Sequence, residues 1–517
     1  MACLIAAPCS GSGKTLLSLC LAAVARQRGE SLQPFKVGPD YLDPQLLAAV
    51  AGRECRNLDP ILCGEPWVQS SFRWHGSRAE RVLVEGVMGL FDGRGPSSEG
   101  SSAAVAVLLD LPVVLVVEAS RQAGSLAALV RGFRDHGPPQ VRLAGVVLNR
   151  VGSERHRALL QEALASIEVP LLGVLPNHPS LELPSRHLGL LPPQELDDLG
   201  ERQPAWVELA RRHLDLETLW PLLSPVAADP RLSNPIEALV GPPRQRLALP
   251  VAIAADAAFH FRYPETTELL QAVGLEPVNW SPLADQPLPA DTRAIVLPGG
   301  YPELHAERLE SCRRSLGELA GAAARGVPIV AECGGLLVLG DTLEDGAGQP
   351  RSMAGVLPFQ ARRGELSLGY RQAQAEADGL LVRRGEIYQG HEFHRWQLAI
   401  EPGPAGPALT MEAPLWRLAG WGAVSRPEGW TGCDLHASWL HLHWGGSPQL
   451  VKRLAARVEE TANQEGRSLA SLAVERRSSS GEGEASVKSL EDGETDGVGK
   501  REGRPRSPNS TSSTRSR

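Results

Sequence analysis

The run "APCSGSGKT" (residues 7–15) follows an apolar stretch and opens onto "TLLSLCLAAVARQRG", whose apolar residues recur at helical spacing up to Gly29. Strand, glycine loop and helix in that order form a cradle for polyphosphate. Glycines let backbone N–H groups turn toward an anion, the helix start adds partial positive charge, a lysine reaches the terminal phosphates and a threonine offers its hydroxyl to Mg²⁺. Gly11, Ser12, Gly13, Lys14 and Thr15 are therefore the candidate ATP-binding residues. Pro8 stands where the usual loop has its first glycine, so Gly11 must supply the tight turn.

A second chemistry lies far downstream. "VPIVAECGGLLVLG" reads as a strand (residues 327–331) entering a sharp turn at Cys333, then two glycines and an apolar helix. This is the geometry of a nucleophile elbow, which exposes its residue above a sheet at the positive end of the next helix and is expected to stabilise a thiolate. Upstream, "RAIVLPGGYPEL" ends a strand in Gly299 and Gly300, whose N–H groups with that of Gly334 could form an oxyanion hole. Downstream, "HASWLHLHWGG" offers His436, His441 and His443 as the base a cysteine nucleophile requires. A buried structural cysteine is the competing reading.

Acidic residues cluster where parallel strands should end. "PFKVGPDYLDP" carries Asp40, Tyr41 and Asp43, and "RVLVEGVMGLFDG" carries Glu85 and Asp92. Two or three such carboxylates with Thr15 could hold Mg²⁺ beside phosphates. "GEIYQGHEFHRWQ" places His391 and His394 around Glu392, but the segment is short and strand-like, which argues against a metal site.

The elements that must position these groups follow from the rest of the chain. Residues 1–195 alternate apolar strands with helical stretches, 196–248 combine a helical segment with a proline-rich linker, and a second alternation fills 249–447. The expected fold is therefore two doubly wound α/β domains. A terminal helix is expected over 448–477, and 478–517, built of Ser, Gly, Glu, Arg and Pro, is expected to be a disordered tail. The net charge of −8 argues against nucleic acid as main partner, and no run reaches the ~20 apolar residues of a membrane span. Eight cysteines without a CxxC pair read as reduced thiols in a soluble, cytoplasmic protein.

Taken in order, "APCSGSGKT", "KVGPDYLDP", "LVEGVMGLFDG", "LPGGYPEL", "ECGGL", "GHEFH" and "WLHLHW" resemble the cobyrinic acid a,c-diamide synthase family over residues 1 to about 450. Its N-terminal half is similar to dethiobiotin synthetase and its C-terminal half to class I glutamine amidotransferases. The resemblance implies a carbon–nitrogen ligase of corrin biosynthesis that amidates the a and c acetates of cobyrinate with ATP, Mg²⁺ and L-glutamine, and it is compatible with a homodimer. It implies Cys333 and His441 as catalytic pair, Gly300 and Gly334 at the oxyanion, Thr15, Asp40 and Glu85 at the metal, and Tyr41, Asp43 and Asp92 at the tetrapyrrole carboxylate. Ordinary class I enzymes carry a glutamate two positions after the histidine. Here that position is His443, which leaves no orienting acid that the sequence can name. The same chemistry on hydrogenobyrinate or a nickel tetrapyrrole, and a catalytically silent P-loop binding module, remain the alternatives.

Overall fold

The computed structural model describes residues 2–178, 183–186, 189–190, 192–196, 198–242, 249–400 and 414–480. The first sheet has seven parallel strands, β1 (Cys3–Ala6), β2 (Leu32–Val37), β3 (Arg56–Leu58), β4 (Arg81–Glu85), β5 (Pro112–Glu118), β6 (Arg142–Val151) and β7 (Leu171–Pro176), in the order β3-β2-β4-β1-β5-β6-β7. Its strands are near-continuous apolar runs because helices cover both faces, including α1 (Lys14–Gln27) and α2 (Leu42–Ala51). The chain reverses direction across the sheet beside β1, so the loops after β1, β2 and β4 open together at the strands' carboxyl ends.

Residues 199–223 are not a loose tether. The helix Leu199–His213 buries Trp206, Val207 and Leu209 in the same apolar cluster as α1, and Trp220 is covered by the guanidinium of Arg28 at 4.1 Å. A short ribbon, β8 (Ser185–Arg186) with β9 (Gly189–Leu190), precedes it.

The second sheet begins with four parallel strands, β10 (Pro250–Ala254), β11 (Glu276–Trp280), β12 (Ala294–Leu297) and β13 (Ile329–Glu332). Here the structure departs from a plain second doubly wound domain. An inserted, mostly antiparallel sheet intervenes, made of β14 (Thr342–Glu344), β15 (Pro350–Ser352), β16 (Gln360–Ala375), β17 (Ile387–Ala399), β18 (Trp416–Gly420) and β19 (Ala423–Glu428). Only then does the chain return as β20 (Trp430–Thr431) and β21 (Leu435–Ser438), the latter parallel to β13. Polar residues on both faces of β16 blur the period-2 signal that would have marked this insertion. The terminal helix runs from Gln449 to Ser480, past the expected 477, and the remainder of the expected tail, 481–517, lies outside the described residues.

Residues 1–462 form one compact unit. A buried ion pair joins its two parallel sheets: Arg56 on β3 donates to Glu265 at 3.2 Å and to Glu268 at 2.8 and 2.5 Å, both on the helix Pro264–Ala272. Burial opposes ionisation of Glu265, but Arg56 and then His443 outweigh it and hold its carboxyl below the ordinary 4.5. Its contribution is thus complete above that value and is lost as pH falls through the depressed pKa. We predict that Arg56→Ala, which strands a buried carboxylate, destabilises the protein by about 3–5 kcal/mol. In urea titrations the gap from wild type should be wide at pH 7 and should narrow only as pH falls below 4.5; a gap that stays unchanged down to about pH 2 would contradict this account.

Candidate active site

The loop after β1 turns through Gly11 (φ 79°) and Gly13 (φ 109°), conformations that L side chains rarely adopt. Gly13 is also required by contact, since a Cβ there would stand 2.3 Å from the Asn149 amide nitrogen, which itself donates to the Ser12 carbonyl at 3.0 Å. Lys14 Nζ donates to the Met88 carbonyl at 2.6 Å, and Thr15 Oγ1 donates to Glu85 Oε1 at 2.9 Å. A cavity of about 570 Å³ opens on these groups, with Asn149, Arg150 and His178 on its far wall. Its form suits a nucleotide triphosphate.

Glu85 and Lys36 are register partners at the ends of β4 and β2. Lys36 is buried and its ammonium bonds Glu85 Oε1 at 2.8 Å and Asp43 Oδ2, with Asp40 Oδ2 at 3.8 Å. Burial disfavours its charge, yet Asp43, Glu85 and Asp40 outweigh burial and hold Lys36 well above its ordinary pKa. Asp43 is raised by burial but lowered more by Lys36, so it stays ionised; Asp40, pushed up by burial and by Asp43, reaches about 7. Asp40 Oδ1 accepts from the N–H groups of Leu42 and Asp43, which fixes the start of α2. Nothing in the sequence singles out Lys36 as the cation of this cluster, and nothing there assigns Asn149 a role.

A second cavity of about 570 Å³ adjoins the first and shares Ser10, Asp40, Asp43, Val87 and Met88 with it. Tyr41 and Asp92 line it from the first sheet, while Tyr370, Arg371, His391 and Trp421 line it from the inserted sheet. Asp92 also caps its own loop, accepting the Gly89 N–H at 2.8 Å. The Tyr41 ring stacks on Phe261 at 5.1 Å and meets the His441 ring at 5.2 Å, the three rings forming one cluster in which Phe261 and His441 are 6.4 Å apart. Asp40 and Asp43 therefore border both cavities, and Tyr41 between them borders the second and touches the candidate base.

Cys333 follows β13 with φ 48° and ψ −108°, a strained elbow of ~1–3 kcal/mol. The turn closes because residue 335 is glycine: a Cβ there would lie 2.0 Å from the Leu297 carbonyl oxygen. A Cβ on Gly334 would lie 2.9 Å from the Gly300 nitrogen, so the two candidate oxyanion donors share one small space. The Cys333 N–H donates to the Ser438 carbonyl at 2.8 Å, and its thiol points to the Phe393 carbonyl at 3.8 Å.

The expected thiolate is corrected by this geometry. The helix after the elbow is a single turn, Gly334–Leu337, too short for a useful dipole, and burial followed by the charges of Glu303, Glu332 and Glu392 pushes the thiol up despite the Gly334 N–H. Cys333 is a neutral thiol at rest. His441 is its counterpart, pushed down to about 3 by burial and by His391 and His394, hence neutral and able to accept a proton.

The other histidines lie elsewhere. His443 packs on Tyr263 at 4.3 Å with Nε2 3.7 Å from Glu265, in the network of Arg56, and His436 is buried against Trp416 at 5.7 Å. His391 and His394 fall on opposite faces of β17, where His394 stacks on Trp439 at 3.9 Å and Glu392 serves Arg371 at 2.6 Å. No group of three His, Cys, Asp or Glu among the described residues could hold a metal ion by itself.

Comparison with known proteins covers both halves. Residues 3–191 match the CobQ/CobB/MinD/ParA nucleotide binding domain, and residues 250–449 match the CobB/CobQ-like glutamine amidotransferase domain. The chain is 43% identical over 461 residues to cobyrinate a,c-diamide synthase of Gloeobacter violaceus, covering 88% of this chain and 97% of that one. It is 41% identical over 455 residues to cobyrinate a,c-diamide synthase of a Synechococcus strain, covering 87% and 97%. It is equally 43% identical, over 495 residues, to hydrogenobyrinate a,c-diamide synthase of Streptomyces coelicolor, covering 88% and 96%.

The fit of His441 over Gly299 gives a prediction that needs no substrate identity. A Cβ on Gly299 would lie 2.4 Å from His441 Cε1, so Gly299→Ala must shift the imidazole. Glutamine hydrolysis should fall about 100-fold, as displacements near 1 Å cost, while the melting temperature changes little. Unimpaired hydrolysis in that variant would remove His441 from the reaction.

Proposed function

The chain belongs to the cobyrinate and hydrogenobyrinate a,c-diamide synthase family, and from that membership we propose that it converts the a and c acetates of cobyrinate to amides, with nitrogen from L-glutamine and energy from ATP. The observation that carries this reading is the position of the segment 40–43, in which Asp40 and Asp43 border both the nucleotide cavity and the second cavity while Tyr41 lines the second and rests on His441. The family's chemistry needs those three places side by side.

In the ligase half, a carboxylate oxygen of the acceptor attacks the γ-phosphorus of ATP and ADP departs, leaving an acyl phosphate. Ammonia then attacks the acyl carbon, phosphate leaves and a proton is lost. Lys14 and the loop N–H groups hold the phosphates through this transfer. The Glu85 Oε2 atom is buried and accepts no hydrogen bond, and Thr15 bonds the other oxygen of that carboxylate, so these residues with Asp40 fit a hard cation. Mg²⁺ held there supplies charge neutralisation on the polyphosphate. Lys36 keeps Asp43 ionised, and Asp43 with Tyr41 and Asp92 faces the acceptor.

In the amidotransferase half, Cys333 sulfur attacks the glutamine amide carbon as His441 takes the thiol proton. The Gly300 and Gly334 N–H groups receive the oxyanion, and His441 returns the proton to the departing nitrogen as ammonia. Water activated by His441 then frees glutamate from the thioester. Ammonia kept within the protein escapes protonation in bulk water, and Tyr41, Phe261 and His391, which line the second cavity, all adjoin His441.

Two variants test the division of labour. With Cys333→Ser, glutamine hydrolysis should fall by orders of magnitude while amidation driven by high ammonium survives at a substantial fraction of the wild-type ammonia rate. With Glu85→Ala, amidation should vanish with either nitrogen source. The assays are run on cobyrinate, hydrogenobyrinate and a nickel tetrapyrrole in parallel; a preference for either of the latter two would replace cobyrinate as acceptor. Near wild-type hydrolysis by the Cys333 variant would overturn the amidotransferase assignment.

A further inference from the structure

His441 has one ring nitrogen without an assigned task. Its Nδ1 is buried and makes no hydrogen bond, while its Cε1–Nε2 edge lies over the turn at Gly299, beside the oxyanion donors. The position two residues later cannot orient the ring, because His443 is turned into the Glu265 network. What Nδ1 does face is the carboxylate of Glu332, with Oε2 at 3.8 Å, both side chains being largely buried. Glu332 is in turn held by the Leu442 N–H and the Trp444 side chain, both from the segment that carries His441.

On the amidotransferase reading above, we propose that Glu332, the residue directly before the nucleophile, is the positioning acid for His441, taking the place of the glutamate that other class I enzymes carry beside their histidine. Closing from 3.8 Å, the carboxylate accepts a hydrogen bond from Nδ1–H, which fixes the tautomer that leaves Nε2 free. When the sulfur–carbon bond forms, the thiol proton moves to Nε2, and the imidazolium so made is stabilised by the carboxylate while Nδ1–H stays in place. The acid thus enters from the nucleophile's own strand, so one β-strand end sets both the sulfur and the ring.

The charge balance of the pair gives the idea a pH signature. Burial pushes the Glu332 carboxyl up to about 8 against its two donors. The other groups acting on the ring are His391 and His394, which oppose its protonation, and Glu392, which favours it; Tyr41 and Cys333 are the titratable groups that feel Glu332. A raised carboxyl pKa means that the competent carboxylate appears as pH rises. Glutamine hydrolysis should therefore climb through about pH 8.

Glu332→Gln keeps an acceptor for Leu442 and Trp444 but cannot become an anion. It should lower kcat for glutamine hydrolysis at least ~100-fold with little change in KM and flatten the limb near pH 8, while ammonia-driven amidation stays at the wild-type rate. Glu332→Asp should restore part of the rate. Hydrolysis within about 3-fold of wild type with an unchanged pH profile overturns the proposal. If Cys333→Ser still hydrolyses glutamine, the nucleophile assignment fails instead, so the two failures are separate. Should Glu332→Gln not fold, ¹⁵N-histidine spectra of the wild type decide: an Nδ1–H tautomer for His441, assigned with His441→Gln, supports the proposal, and an Nε2–H tautomer overturns it.

Discussion

Three chemistries that must exchange unstable intermediates can do so only if the open ends of two separate sheets stay face to face. Arg56 supplies the fixed point. Its guanidinium leaves the edge of the first sheet and ends on Glu265 and Glu268 of the second, and Glu265 also faces His443. Buried ion pairs are seldom a large source of net stability, but they are costly to break and tolerate little sliding. That intolerance matters here more than the energy. A register error of one residue along α2 would carry Tyr41 off His441 and Asp43 off Lys36.

The ligase half solves the problem of buried charge by pairing. Lys36 is placed by strand register opposite Glu85, and one ammonium serves Glu85 and Asp43 directly with Asp40 nearby. An unpaired carboxylate at the sheet end would take up a proton and cease to be an acceptor. Lys36 prevents this for Asp43, whereas Asp40, farther from the ammonium and next to Asp43, is left near neutrality at about 7. The P-loop lysine is treated differently: burial and Lys36 lower its pKa, and its proton is held against the Met88 carbonyl. Two neighbouring lysines are thus held differently, one by the carboxylates and one by the Met88 carbonyl at the mouth of the first cavity.

Whatever depends on contiguous residues was legible in the sequence. The phosphate loop is nine residues of local conformation, and the elbow is a strand, a cysteine and two glycines, so both could be placed from "APCSGSGKT" and "AECGG". The alternation of strand and helix likewise announced parallel sheets. Contacts made by topology were hidden. Neither Lys36 with Glu85, nor Asn149 with Ser12, nor Tyr41 with Phe261 can be deduced from spacing, because each joins segments far apart in the chain. The state of Cys333 was misjudged for a related reason: a glycine-flanked turn suggests an exposed thiolate, but exposure belongs to the tertiary fold, and here strand β17 and several carboxyl groups close over the sulfur. The inserted sheet escaped because β16 is polar on both faces, so its alternation carried no hydrophobic signal.

The amidotransferase half handles buried titratable groups in the opposite manner, by neutrality. Around the nucleophile, the thiol is pushed up, His441 is pushed down to about 3, and Glu332 and Glu303 rise to about 8 and about 7. Among the described residues no arginine or lysine pairs with Glu332 or Glu303 as Lys36 pairs with the ligase carboxylates, so at these two groups charge arises only when a proton moves. The ring that touches His441 is Tyr41, flanked in sequence by Asp40 and Asp43, so any shift of α2 that follows the filling of the ligase cavities is felt directly at the base. The short segment from Asp40 to Asp43 thus links both cavities to the histidine without a long relay: Asp40 and Asp43 line both, and Tyr41 lines the second and touches the His441 ring.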